Sequence, residues 1–244
     1  MILSSSAQRV DKIPVPSLEA TIKDLFAPHV SVALTDPSQT YPQPFLQEAE
    51  AVKRACPKRQ GEFFAGRAAV REAMQQLGYP GQPVLAGRDR APVWPHGLIG
   101  SISHCDALCV AALSEISELR SIGIDVESDT PLEPDLIPTV CSLIERAWLS
   151  SQPEADRGLL AKLIFSAKEC AYKCQFPVTR TMFDFDTLEI TPDLDTGQFE
   201  ATFTRDVDCI AQGTCFHGRF VILDGLIITG TMLSRRPRWS MRGQ

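Results

Sequence analysis

Two short runs of this chain hold acidic and basic side chains whose types and spacing suit a cation held against phosphate. In SIGIDVES, residues 121–128, β-branched residues alternate with small or acidic ones, which predicts a strand. Side chains at i and i+2 of a strand share a face, about 6 to 7 Å apart. Ile122, Ile124 and Val126 then enter a core, while Gly123, Asp125 and Glu127 face the other way, so two carboxylates converge on one spot. A hard cation such as Mg²⁺ takes oxygen ligands and is commonly held by one or two carboxylates plus substrate phosphates. The alternative is the ordinary polar face of an edge strand. The second run, FSAKECAYK at 165–173, reads as helix, with Glu169 and Lys173 one turn apart and Lys168 about 100° around from Glu169. A surface Glu–Lys pair of this kind contributes only about 0.3–0.5 kcal/mol. Phe165, Ala167, Ala171 and Tyr172 make this helix largely apolar, so its carboxylate and lysines need partners, which a metal and a diphosphate would supply.

Two more constellations carry side chains suited to phosphate. In GSISHCD, residues 100–106, Ser101, Ser103 and His104 precede a strand and follow a loop bearing Arg88 and Arg90. A histidine in such a place is either a hydrogen-bonded structural residue or, beside arginines, a phosphate contact. In KRQGEFFAGRAAVREA, residues 58–73, Arg59 precedes Arg67, and Arg67 and Arg71 share a helical face. The planar guanidinium fits phosphate oxygens, although arginines on helix surfaces are common. His104 beside Cys105 and Cys109 raises zinc, and Cys170 with Cys174 repeats the same CxxxC spacing. That spacing is not the CxxC of a zinc knuckle, and core packing is the preferred reading. No GxxxxGK[ST] loop, GxGxxG after a strand, GxSxG elbow or HExxH pair occurs.

The elements that must position these residues follow from punctuation and periodicity. Residues 1 to about 45 are rich in proline and serine, with a short strand at Val30–Leu34 ended by the turn signal DPSQ. From Phe45 to Leu77 apolar residues recur at helical spacing, with Pro57 dividing two helices and Gly78 as a stop signal. A loop dense in proline and glycine leads into SISHCDALCVAALS, which is expected to pair with SIGIDVES through a turn at 115–120. Helices are expected at 137–149 and 159–174, then strands at FDTLEI, QFEATFTR, CFHGRFVILDG and LIITGTML, with a basic, peripheral tail RRPRWSMRGQ. Helices plus antiparallel strands give an α+β pattern.

Composition narrows the function classes. A chain of 244 residues that is 44% hydrophobic can build a sizeable core. No stretch approaches the roughly 20 apolar residues of a membrane span, and MILSSSAQRVDKIPVP lacks a basic region followed by an apolar one, so a cytoplasmic protein is expected. The eight cysteines sit mostly in apolar or helical patterns and are expected to be free thiols. A net charge of −6 argues against general nucleic-acid binding, so any phosphate must be met by local basic clusters.

Taken in order, KRQGEFFAGR, RAPVWPHGLIGSISH, GIDVES and FSAKECAYK resemble the phosphopantetheinyl transferase superfamily. Within it the match is to the bacterial type named for component D of enterobactin synthase, related to the broad-range surfactin-type enzymes. The resemblance covers residues 58–173 and continues more weakly beyond. It implies transfer of the phosphopantetheine arm of coenzyme A to a serine of an apo acyl, peptidyl or aryl carrier protein, releasing 3′,5′-ADP. Coenzyme A is then the co-substrate and Mg²⁺ the metal, with Mn²⁺ able to replace it. The resemblance implies Asp125, Glu127 and Glu169 as metal ligands, and Lys168 and Lys173 as neutralisers of phosphate oxygens. His104, with Ser103 nearby, is similar to the family's 3′-phosphate contact, and Arg59 and Arg67 to its nucleotide-phosphate arginines. Residues 89–92 correspond to the loop beside the adenine; relatives vary at Asp89, and Arg90 is the substitute. The general base is left open between Glu169, directly or through water, and Lys173. The implied fold is α+β with two similar halves about a pseudo-twofold, divided as 1–120 and 121–244, and bacterial members of this size are typically monomers. Two other readings stay open: a different Mg²⁺-dependent phosphotransferase or phosphohydrolase, and a carrier-docking protein without catalysis.

Overall fold

Pro57 opens, and Gly78 closes, the longest helix of the first half. The computed structural model describes residues 15–43 and 45–235. Helix α3 (Pro57–Gln76) begins at a proline, whose missing N–H costs nothing in a first helical turn. It ends with Gly78 at φ +80°, where Tyr79 N donates to Met74 O and Gly78 N to Gln75 O, a left-handed cap that glycine adopts without steric penalty. Before it lie α1 (Val15–Lys23), β1 (Ser31–Thr35) and α2 (Leu46–Val52). The proline- and serine-rich entry segment thus carries a helix that its composition did not suggest. After α3 come β2 (Leu85–Ala86) and β3 (Pro92–Val93), a small hairpin inside the expected loop, then β4 (Leu98–His104), β5 (Cys109–Glu115) and β6 (Leu119–Ser128). The second half continues with α4 (Ile137–Val140), α5 (Leu143–Ser151), α6 (Arg157–Thr179), β7 (Leu188–Asp193), β8 (Gln198–Phe203), β9 (Cys215–Leu223) and β10 (Leu226–Ser234). The start of the chain and all but the first residue of the basic tail lie outside the described residues.

Besides the β2–β3 hairpin, two larger antiparallel sheets result. One has the order β1-β5-β4, the other β6-β10-β9-β8-β7. The expected pairing of the SISH hairpin with SIGIDVES through the 115–120 turn is therefore corrected: β6 pairs with β10, with Asp125 opposite Thr229. The turn passes the chain from one sheet to the other. Across that seam β4 lies beside β6, and serine hydroxyls replace ladder carbonyls. Ile124 N donates to Ser101 Oγ at 3.2 Å and Val126 N to Ser103 Oγ at 3.3 Å. Buried backbone donors need such partners. The Asp125 face of β6 is consequently not a solvated edge.

The core beneath the seam belongs to both sheets: Val32, Val110 and Ala112 pack in one cluster with Ile122, Ile124, Val126 and Ile228. Helix α6 covers the other face of β6. It comes so close that a Cβ on Gly123 would stand 2.0 Å from Cys170 O and 2.9 Å from Cys174 Cβ. All eight cysteines are unpaired thiols. No helix among the described residues is long and apolar enough to cross a membrane.

Candidate active site

Asp125 is the point where β4, β6 and α6 meet. It is 2% exposed. Its Oδ1 accepts from Lys173 Nζ at 2.6 Å and from Ser103 Oγ at 2.8 Å, and its Oδ2 accepts from Ser166 Oγ at 2.8 Å. Lys173 Nζ also donates to Ser103 Oγ at 2.9 Å. Burial disfavours the Lys173 ammonium, but the charge of Asp125 and the hydrogen bond to it outweigh burial and hold the pKa above the usual lysine value.

A cleft of about 440 Å³ opens over this point and is lined by nine of the ten residues to which the family resemblance assigns a metal, phosphate or base contact: Arg59, Arg67, Arg90, Ser103, His104, Asp125, Glu127, Glu169 and Lys173. Burial raises the Glu127 pKa, with Asp125 adding to the shift and Lys162, at 3.5 Å, opposing it. Burial likewise raises Glu169; Lys173 opposes that and Asp125 reinforces it. Three carboxylates on one cleft form an all-oxygen donor set, the chemistry a hard divalent cation selects. A cation would offset the burial, and the lesser repulsion from Asp125, that push Glu127 and Glu169 upward. Among the described residues, the only His, Cys, Asp and Glu trio with ligand atoms all within 4.8 Å of one another is Glu200, Cys215 and His217 on β8 and β9, none of which lines the cleft. The oxygens of Asp125, Glu127 and Glu169 stand farther apart than that, with Asp125 drawn to Lys173.

The cleft is also lined by Arg59, Arg67 and His104, with a further carboxylate, Glu62, beside Arg59 and His104. Arg59 Nη1 is 2.6 Å from His104 Nε2 and 3.2 Å from Glu62 Oε2. A guanidinium only donates, so His104 Nε2 accepts and the ring proton lies on Nδ1. Burial lowers the His104 pKa; Glu62 works against the shift, and Arg59 adds to it. Arg67 is buried, with Nε donating to Val84 O at 2.6 Å and its guanidinium 4.3 Å from the Phe63 ring centroid. Burial brings its pKa down to about 10, which leaves it charged. Arg71 turns away to Glu48 at 2.8 Å. Arg90 sits at φ +66° in the β2–β3 turn, where Asp89 Oδ1 accepts from Ala91 N and Asp89 Oδ2 is 3.3 Å from Arg180 Nη1. Asp89 shapes the turn, and Arg90 supplies the cleft side chain.

Lys168 requires a correction. It is 1% exposed and does not line the cleft. Its ammonium donates to Val140 O at 2.7 Å, Glu145 Oε2 at 2.8 Å and Phe185 O at 3.1 Å, which uses all three donors. The 100° offset from Glu169 carries it to the side of α6 that faces α5 and the 185–190 segment. Glu145 completes the arrangement: its Oε1 accepts from Ile190 N at 2.7 Å, and with Ser142 it forms a capping box on α5. Lys168 is a buried structural pin and has no donor left for phosphate.

The zinc alternative at His104, Cys105 and Cys109 also finds a structural explanation. Cys109 is buried and Sγ donates to Glu62 O at 3.6 Å, with burial pushing its thiol up to about 12. Sequence reading missed Ser166 and Thr229. Ser166, Cys170 and Lys173 stand at i, i+4 and i+7, one helical face, and that spacing was the available signal.

Comparison with known proteins agrees with this layout. A model of the 4′-phosphopantetheinyl transferase N-terminal domain matches residues 47–114, and one of the 4′-phosphopantetheinyl transferase superfamily matches residues 121–223. The chain is 36% identical over 191 residues to 4′-phosphopantetheinyl transferase Svp of Streptomyces mobaraensis, covering 76% of each. It is 32% identical over 207 residues to 4′-phosphopantetheinyl transferase PptT of Mycobacterium tuberculosis, covering 82% of this chain and 89% of that one. Enterobactin synthase component D of Salmonella typhi is 35% identical over 149 residues, 60% of this chain and 61% of that protein. The two family matches meet at the connection between β5 and β6, and between them they take in Arg59, Arg67, Arg90 and His104 as well as Asp125, Glu127, Glu169 and Lys173. The chain therefore belongs to the 4′-phosphopantetheinyl transferase superfamily.

Proposed function

We propose that the protein transfers the 4′-phosphopantetheine arm of coenzyme A to a serine hydroxyl of an apo carrier protein, in a Mg²⁺-dependent reaction that releases 3′,5′-ADP. The observation that carries the reading is that one cleft gathers the basic side chains Arg59, Arg67, His104 and Lys173 with the carboxylates Asp125, Glu127 and Glu169. A nucleotide bearing a 3′-phosphate and a diphosphate suits such a set, the basic groups meeting phosphate oxygens directly and the carboxylates through a cation. Arg59 and Arg67 anchor the nucleotide phosphates, with His104 on the 3′-phosphate, and Arg90 borders the base. Asp125, Glu127 and Glu169 hold the Mg²⁺, which neutralises the diphosphate and acts as a Lewis acid when bound. Lys173, held by Asp125 and Ser103, donates to a phosphate oxygen as charge builds on the leaving group.

The carrier serine oxygen attacks the β-phosphorus, the bond from that phosphorus to the bridging oxygen breaks, and 3′,5′-ADP departs with the electron pair. Glu169 accepts the serine proton, directly or through a water; it is a carboxylate of the cleft, whereas the bonds of Lys173 to Asp125 and Ser103 favour its charged form. The reading carries with it a cytoplasmic monomer whose halves divide near residue 120, acting on acyl, peptidyl or aryl carriers. Incubation with coenzyme A, Mg²⁺ and a panel of such apo carriers is expected to add the mass of one phosphopantetheine group. EDTA or Asp125→Ala should abolish the gain without unfolding the protein. A wild-type protein that binds no coenzyme A and modifies no carrier overturns the reading.

A further inference from the structure

The Asp125 carboxylate has four lone-pair positions, and three are already used. Oδ1 takes two donors, Lys173 and Ser103; Oδ2 takes one, Ser166. The one open acceptor position is therefore on Oδ2, the oxygen that Ser166 holds. Ser166 is fully buried and lies in the middle of α6, where a serine ordinarily bonds back to its own helix. Here its single proton goes to the carboxylate. Thr229, also fully buried and opposite Asp125 across the β6–β10 ladder, stands behind it: Thr229 Oγ1 is 3.0 Å from Ser166 Oγ and donates to Ser166 O at 3.1 Å.

We infer that Ser166, backed by Thr229, is a positioning residue for the transfer. It fixes which lone pair of Asp125 is presented to the cation, and it keeps the carboxylate from turning both oxygens toward Lys173. Without the hydroxyl, Oδ2 gains a second open position and loses its orientation, and a carboxylate beside an ammonium at 2.6 Å rotates toward it. Hydrogen bonds behind a metal ligand of this sort typically change metal affinity or activity by 10–100-fold. The inference rests on the reading of Asp125 as a metal ligand of a coenzyme A-dependent transferase.

The test measures Mn²⁺ binding by electron paramagnetic resonance in the presence of coenzyme A, for wild type, Ser166→Ala, Ser166→Thr and Thr229→Val, with thermal melts and transfer kinetics alongside. Ser166→Ala should weaken Mn²⁺ binding by about 10-fold or more, lower kcat at fixed metal and leave the KM for the apo carrier unchanged. Ser166→Thr, which keeps the hydroxyl, should restore binding, and Thr229→Val should fall between. A folded Ser166→Ala protein with wild-type Mn²⁺ affinity overturns the inference. If Ser166→Ala does not fold, Thr229→Val decides: weakened binding supports the inference and wild-type binding overturns it. A wild-type protein that neither binds Mn²⁺ with coenzyme A nor modifies a carrier instead defeats the functional reading itself.

Discussion

Lys168 and Glu169 are neighbours in sequence and belong to different parts of the molecule's physics. Glu169 faces the cleft, while Lys168 forms a buried ion pair with Glu145 at 2.8 Å, with both side chains 1% exposed. Removing one partner of such a pair leaves an uncompensated buried charge and costs about 3–5 kcal/mol. Lys168→Met should therefore lower stability by that amount in urea titrations while the folded fraction keeps its KM for coenzyme A. Adding Glu145→Gln, which removes the orphaned charge but keeps an acceptor oxygen for only one of the two amides, Ser142 N or Ile190 N, should recover part of the loss. A lysine that served phosphate would show the reverse, a raised KM with little change in stability. His104 supplies a pH test. Its folded pKa lies below the ordinary value of 6.5, so in the free protein stability falls as pH drops through that value, because the unfolded imidazole takes a proton that the buried one resists. An arriving phosphate reverses the preference. Coenzyme A binding at pH near 6.5 should take up a proton, seen by calorimetry in buffers of different ionisation enthalpy, and His104→Gln should abolish the uptake. The site was legible wherever periodicity alone decides a direction: Asp125 with Glu127, and Glu169 with Lys173. It was illegible where a residue's role depends on what lies opposite. Nothing local distinguishes a helical lysine aimed at phosphate from one aimed at Glu145, or a core-facing serine from a filler.

The contact between α6 and β6 is what converts two separate motifs into one site. Gly123 permits it, since a methyl group there would meet Cys170 O at 2.0 Å, well inside contact distance. Gly123→Ala must push the helix away from the strand. Overpacking of this kind costs about 1–3 kcal/mol or more, and a shift of about 1 Å at catalytic groups costs roughly 100-fold in rate. The variant should melt lower and lose about that factor in kcat; an unchanged kcat would show that helix position is not limiting. The strands of the second half were readable, because alternation and turn residues mark each one: β7 to β10 fall where FDTLEI, QFEATFTR, CFHGRFVILDG and LIITGTML stand. The partner of β6 was not. Adjacent strands usually pair, and the segment between β5 and β6 looks like a hairpin turn, yet β10, over a hundred residues further on, takes the ladder. Helix α1 escaped notice for a different reason: it is only nine residues long with Pro16 in its first turn, and its packing against β1, with Phe26 just beyond it lying over Gly230, is a tertiary fact.

At the scale of the whole molecule, two sheets share one core. Residues from β1 and β5 pack with residues from β6 and β10 in a single cluster, and the seam between β4 and β6 is held by buried hydroxyls. Each sheet has one face packed under a helix of its own half, α3 or α6, and buries its other apolar face only against its partner sheet. Calorimetry should accordingly show one cooperative transition, with the calorimetric and van't Hoff enthalpies equal, and fragments cut between Glu118 and Leu119 should not fold alone. Two resolved transitions would contradict this and make the halves independent units. The serine-bridged seam has one more consequence, for how this sequence tolerates change. In an ordinary ladder every residue bonds through the same backbone atoms, so register is enforced mainly by which face is apolar. Here two particular side chains, Ser101 and Ser103, spaced by two, meet two particular amides, at Ile124 and Val126, also spaced by two. The match works like teeth in a rack. Many side chains elsewhere on the two strands can be exchanged one at a time, but inserting or deleting a single residue between the serines turns one of them to the opposite face and strands an amide beside Asp125. Alignments of descendants of this chain should therefore admit substitutions in β4 and β6 away from the two serines, His104, Gly123, Asp125 and Glu127, and gaps in neither strand.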